Sequence, residues 1–173
     1  KAGDALTDAD FNVALGYDTL STDTLGSRST AIGYEALYTQ NFTTATQTLN
    51  TAVGFQAGTA ITTGVQNTLI GSSAGDAMTD ADHNVAVGLN TLGTNVLGSK
   101  STAVGTGALA TQNPATAINM YNVAVGYDAG VAVTTGQSNT LIGSLAGDAL
   151  TTPASNTAVG QNALGADTQG SNT

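Results

Sequence analysis

One five-residue pattern of polar and apolar positions recurs along this chain: Asn or Ser, then Thr or Val, then Ala or Leu, then Val, Ile or Leu, then Gly. It occurs nine times, as NVALG at Asn12, STAIG at Ser29, NTAVG at Asn50, NTLIG at Asn67, NVAVG at Asn84, STAVG at Ser101, NVAVG at Asn122, NTLIG at Asn139 and NTAVG at Asn156. A β-prone run of this length, alternating side chains between two faces and followed by Gly, Thr and Asn, predicts a short strand and a turn in each unit. The closing glycines, Gly16, Gly33, Gly54, Gly71, Gly88, Gly105, Gly126, Gly143 and Gly160, are spaced 17, 21, 17, 17, 17, 21, 17 and 17 residues apart. Units this short cannot hold a helix pair or a propeller blade, but they suit one coil of a solenoid. The order of spacings repeats after 72 residues, and residues 1–72 align without a gap on 73–144 with 45 identities. The sequence therefore predicts an all-β parallel β-solenoid, or β-roll, of about nine 17- or 21-residue rungs in a 72-residue superperiod. Residues 1–173 read as a single array (blocks 1–72 and 73–144, partial block 145–173) and as a fragment of a longer chain.

Each column of the repeat has a physical demand. The Gly column marks a close backbone approach or a positive-φ bend. The Asn column (Asn12, Asn50, Asn67, Asn84, Asn122, Asn139, Asn156) offers amides that bond from rung to rung and cap the preceding turn. The strand alternation gives one face of Val, Ile and Leu and a second of Ala and Gly, so both faces are apolar. A thin coil can bury one of them internally. The other needs a partner, and the smooth Ala/Gly face is expected to let backbones approach closely. The inference is a homo-oligomer, with a trimer as the commonest closed form for a fibre. The four-residue insertions fall in 38–49 and 110–121. These loops carry Tyr38, Phe42, Pro114 and Tyr121, the candidates for surface recognition, with the post-glycine aromatics Tyr17, Tyr34, Phe55 and Tyr127 next.

Composition narrows the chemistry. Twelve acidic residues stand against three basic ones, a net charge of −9 that repels a phosphate backbone, so no nucleic-acid partner is expected. There are no cysteines to form disulfides or thiolate metal sites, and no apolar run long enough for direct membrane insertion. The acidic turn GDALTDAD at Gly3, repeated as GDAMTDAD at Gly75, supplies the calcium candidates Asp4, Asp8, Asp10, Asp76, Asp80 and Asp82. It lacks both the EF-hand spacing and the GGxGxD nonapeptide, and the preferred reading is a solvated turn with no metal. His83 is the only histidine and aligns with Phe11 and Ser155, Glu35 has no carboxylate partner, and no GxSxG elbow exists. Neither an enzyme nor a cofactor is expected. Hexapeptide acyltransferases share an apolar-x-Gly signature but divide an 18-residue coil in three, and no six-residue echo is present here.

The segments NTAVGFQAG at Asn50, STAIGYEAL at Ser29 and NVAVGYDAG at Asn122 resemble the "NTAIGYQAL" repeats of phage tail-fibre proteins and of trimeric autotransporter adhesin heads. The resemblance covers nearly the whole chain. It implies trimers of left-handed parallel β-rolls, displayed outside the cell or on a virion and contacting a cell-surface receptor or polysaccharide. The functional expectation is a structural shaft or adhesive segment of an extracellular or virion fibre. The alternatives are a bacterial surface adhesin or extracellular filament, and an ice- or calcium-binding solenoid.

Overall fold

A computed structural model describes residues 1–170, and it is a parallel β-solenoid. The strands in chain order are β1 (Val13–Leu15), β2 (Gly26–Ser27), β3 (Thr30–Ile32), β4 (Thr46–Gln47), β5 (Thr51–Val53), β6 (Thr68–Ile70), β7 (Val85–Val87), β8 (Gly98–Ser99), β9 (Thr102–Val104), β10 (Ile118–Asn119), β11 (Val123–Val125), β12 (Thr140–Ile142) and β13 (Thr157–Val159). Nine of them, one per sequence motif, form a single sheet in the order β1-β3-β5-β6-β7-β9-β11-β12-β13. Every pairing is parallel and in motif register, Thr30 on Thr51 and Thr51 on Thr68, for example. The motifs thus define rungs 1 to 9, stacked at the usual interstrand spacing over about 40 Å. The two insertions rejoin the coil through small parallel pairs, β2 with β4 and β8 with β10.

The interior is the small-residue face. The strand-centre residues Ala31, Ala52, Leu69, Ala86, Ala103, Ala124, Leu141 and Ala158 are buried, whereas the Thr/Val and Val/Ile positions on either side face outward. This corrects the expectation that the Ala/Gly face would meet a partner: only a strand with short inward side chains lets the opposite wall of so thin a coil close over it.

The rest of the core is filled by an alternation between two positions of the coil. Rungs 1, 2, 5 and 6 place Leu20, Leu37, Leu92 and Leu109 four residues after the strand glycine and a polar residue, Asp23, Gln40, Asn95 or Gln112, seven after it. Rungs 3, 4, 7 and 8 reverse the arrangement, with Gly58, Gly75, Gly130 and Gly147 at the first position and Ile61, Met78, Val133 and Leu150 at the second. A Cβ on Gly58 would press against Leu69 at 2.7 Å and Ile61 at 3.1 Å, so the space one side chain vacates is taken by another.

The strand-ending glycines have φ between +122° and +143°, and a Cβ on Gly71 would strike the carbonyl oxygen of Gly88 in the next rung. Both the bend and the rung spacing therefore exclude a side chain. At Gly160 the φ is +122°, yet nothing lies within 4 Å of a built Cβ. Gly71→Ala is expected to lose about 1–3 kcal/mol more stability than Gly160→Ala in urea denaturation, since only the first adds a backbone collision to the backbone strain.

Candidate functional site

Inter-rung clips position the surface. Each Asn of the motif from Asn12 to Asn139 accepts the backbone N–H of the next rung at Oδ1 and donates from Nδ2 to the carbonyl of that rung's turn. Asn67 accepts from Asn84 N at 2.9 Å and donates to Ala81 O at 2.7 Å, and Asn122 likewise joins Asn139 N and Gly136 O. The expected rung-to-rung bonding of the Asn column is present in this form, with Asn–Asn side-chain bonds in addition at Asn50–Asn67, Asn122–Asn139 and Asn139–Asn156.

Ser29 and Ser101 replace Asn where the next rung is long. There Gln40 and Gln112 reach in from the corner: Gln40 accepts from Asn50 Nδ2 at 2.9 Å and donates to Asp23 at 2.6 Å, and Gln112 accepts from Ser101 and Asn122. Asn95 stands where Asp23 does in the first block, and Gln112 Nε2 is left without a partner.

These clips hold four outward columns side by side. The first is the residue before the motif: Phe11, Arg28, Leu49, Gln66, His83, Lys100, Tyr121, Ser138 and Ser155. Each is exposed and each has φ near +60°. The second and third are the outward Thr/Val and Val/Ile positions of the strand, and the fourth is the residue after the strand glycine. Fifteen large apolar side chains are exposed among the described residues, and all but Tyr38 stand in these four columns, including Leu15 at 64% and Val159 at 68%. In the fourth column Tyr17, Tyr34 and Phe55 stack face to face, with centroids 5.3 and 5.2 Å apart, so their edges point to solvent. The neighbouring carboxylates Glu35 and Asp128 hydrogen-bond Tyr34 and Tyr127 and push their phenols above the usual value. In the first column Arg28 lies 5.2 Å from the Phe11 ring centroid and Lys100 lies 5.7 Å from that of Tyr121. Neither cation has an ion pair among the described residues, where the two salt bridges both belong to Lys1.

The recognition candidates separate. Tyr121 belongs to the first outward column, and Tyr38 is 36% exposed off the face. Phe42 is only 7% exposed and Pro114 is buried, so neither is a surface residue. Each insertion folds back over its corner. The Phe42 N–H donates to Asp23 Oδ1, and Pro114 and Met120 pack where a side chain on Gly98 would be.

Nor are the acidic turns assembled into an ion site. Asp4 pairs with Lys1 Nζ, Asp80 accepts from Thr63 Oγ1 and Asp82 accepts from the Val65 N–H, while Asp8 and Asp10 are exposed. No group of three Asp, Glu or His side chains able to hold a metal exists among the described residues. The turn threonines Thr39, Thr62 and Thr134 donate to carbonyls of the next rung. The described residues form no pocket, and no helix is long and apolar enough to cross a membrane.

Compared with known proteins, the chain matches no family model, no curated protein and no solved structure. Its surface must be read from its own geometry. Of the four outward columns, the strand positions and the post-glycine aromatics were legible in the sequence, and the first column was missed because it is irregular by itself. The signal available was the two-residue spacing that places 11, 13, 15 and 17 on one side.

Asn67→Ala removes the partners of the Asn84 N–H and the Ala81 carbonyl inside the rod. It is expected to cost about 2–4 kcal/mol in chemical denaturation. Asp76 has a buried, unpartnered Oδ1, and burial holds its carboxyl above the usual aspartate value against the opposing bonds from Ser73 and nearby backbone amides. The proton is held more tightly folded than unfolded, so this group's stabilisation is complete below the unfolded value and declines as pH rises through the folded one. Asp76→Asn is therefore expected to raise the melting temperature at pH 7 and to lose that advantage near pH 3, where both side chains are neutral. A gain that stayed constant with pH would contradict this account.

Proposed function

We propose that this chain is a shaft segment of a homotrimeric fibre, displayed outside the cell or on a virion, whose role is spacing or attachment. The observation that carries the reading is the segregation of the exposed apolar side chains onto one flat face of the rod. Monomers seldom leave so continuous a patch uncovered, and a patch of this kind marks an association surface. Four columns spaced two residues apart span about 20 Å, which over nine rungs gives on the order of 800 Å², the area each partner contributes to a stable interface.

The width favours three copies. Three faces of about 20 Å closed into a triangle put each sheet about 6 Å from the shared axis, close to half the ~10 Å at which packed sheets normally stand apart. Four such faces would leave an open channel. The resemblance to tail-fibre and autotransporter-head repeats supports the same assembly and an extracellular or virion location.

Light scattering of the purified chain is expected to give the mass of three copies. Val53→Lys with Ile70→Lys, at the centre of the face, is expected to dissociate it to monomers that keep their β-sheet circular dichroism. A folded wild-type monomer at micromolar concentration would overturn the reading.

A further inference from the structure

The two edges of the apolar face match each other in six of the nine rungs. In rungs 1, 3 and 7 the first and fourth columns are both large and apolar: Phe11 with Tyr17, Leu49 with Phe55, Tyr121 with Tyr127. In rungs 4, 8 and 9 both are polar: Gln66 with Ser72, Ser138 with Ser144, Ser155 with Gln161. Rung 2 carries Arg28 at one edge and Tyr34 at the other, and next to Tyr34 stands Glu35, which accepts from Gln56 Nε2 at 2.8 Å and keeps its second oxygen for a cation. Rungs 5 and 6 set the long side chains of His83 and Lys100 opposite Leu89 and Thr106, where an aliphatic stem can cover the neighbour while its charged tip stays in water.

Within one chain these edges lie about 20 Å apart, six residues along an extended segment, and cannot touch. We infer that the matching is between copies: adjacent chains pack parallel and in register, the first column of one against the fourth column of the next, with Arg28 of one copy paired to Glu35 of its neighbour. The inference rests on the fibre reading and specifies its seam. Arg28 is free to make this pair, because among the described residues its guanidinium meets only the Phe11 ring.

Competing arrangements fit worse. Antiparallel rods would set Phe11 and Tyr17 of rung 1 against the polar edges of rung 9, and Arg28 and Tyr34 of rung 2 against the serines of rung 8. The 72-residue superperiod permits a slip of four rungs that still matches Phe11 with Leu89 and Leu49 with Tyr127. That slip joins five rungs instead of nine, places Arg28 opposite Thr106 and leaves an interface that does not close, the geometry of an open filament.

The chain has no cysteine, so paired substitutions report the register directly. Tyr121→Cys with Tyr127→Cys is too widely separated to close within one chain. Under mild oxidation it is expected to yield covalent dimers and trimers on a non-reducing gel, whereas Leu49→Cys with Tyr127→Cys, which reports the four-rung slip, is expected to remain single-chain. As a second measurement, Arg28→Glu is expected to lose trimer by light scattering and Arg28→Glu with Glu35→Arg to recover it. A trimer that crosslinks only through 49 and 127, or through neither pair, overturns the in-register seam and leaves the fibre reading standing. A monomer overturns both.

Discussion

A coil of 17 residues is too thin to enclose a core alone, and everything in this molecule depends on each coil lying flat against the next. The strand-end glycines set that distance: each α-carbon faces the carbonyl of the glycine one rung on, with no space for a side chain. Once the coils are this close, backbone donors and acceptors meet around the perimeter, in the strands and also at the turns. Arg28, Gln66, His83 and Ser138 donate their N–H groups to the preceding rung while held at positive φ. A left-handed conformation costs an ordinary residue about 1–2 kcal/mol, so this geometry persists because neighbouring rungs impose it.

The same closeness determines what can be inside. With opposite walls of the coil in contact, the strand centre accepts Ala, and Leu only in the two rungs where glycines make room elsewhere. The motif asparagines enter the interior as clips whose oxygen and nitrogen both serve the next rung, the condition under which buried amides are tolerated. The large apolar residues on either side of the strand centre are thereby excluded from the core and collect outside. In the proposed fibre the face of Val, Ile, Leu, Tyr and Phe is the surface for association, where apolar contact would have to outweigh the repulsion between rods of net charge −9. In the proposed trimer the core of the fibre is this outer face, and what is core in one chain is only its lining.

The architecture was legible in the sequence because period and register are one-dimensional properties. Nine motifs at 17- and 21-residue spacing fixed the number of rungs, their parallel pairing and the 72-residue superperiod, and the invariant Gly and Asn positions marked the close approach and the clips. Inside and outside were decided only by the tertiary structure. Alternation divides a strand into two faces, and when both are apolar, hydrophobicity does not rank them. The choice was made by the width of the coil, which admits Ala52 and refuses Val53. Phe42 and Pro114 were hidden for a related reason: an insertion reads as exposed until the backbone shows it folding back over its own corner, where burial replaces solvent with the Asp23 and Gly98 surroundings.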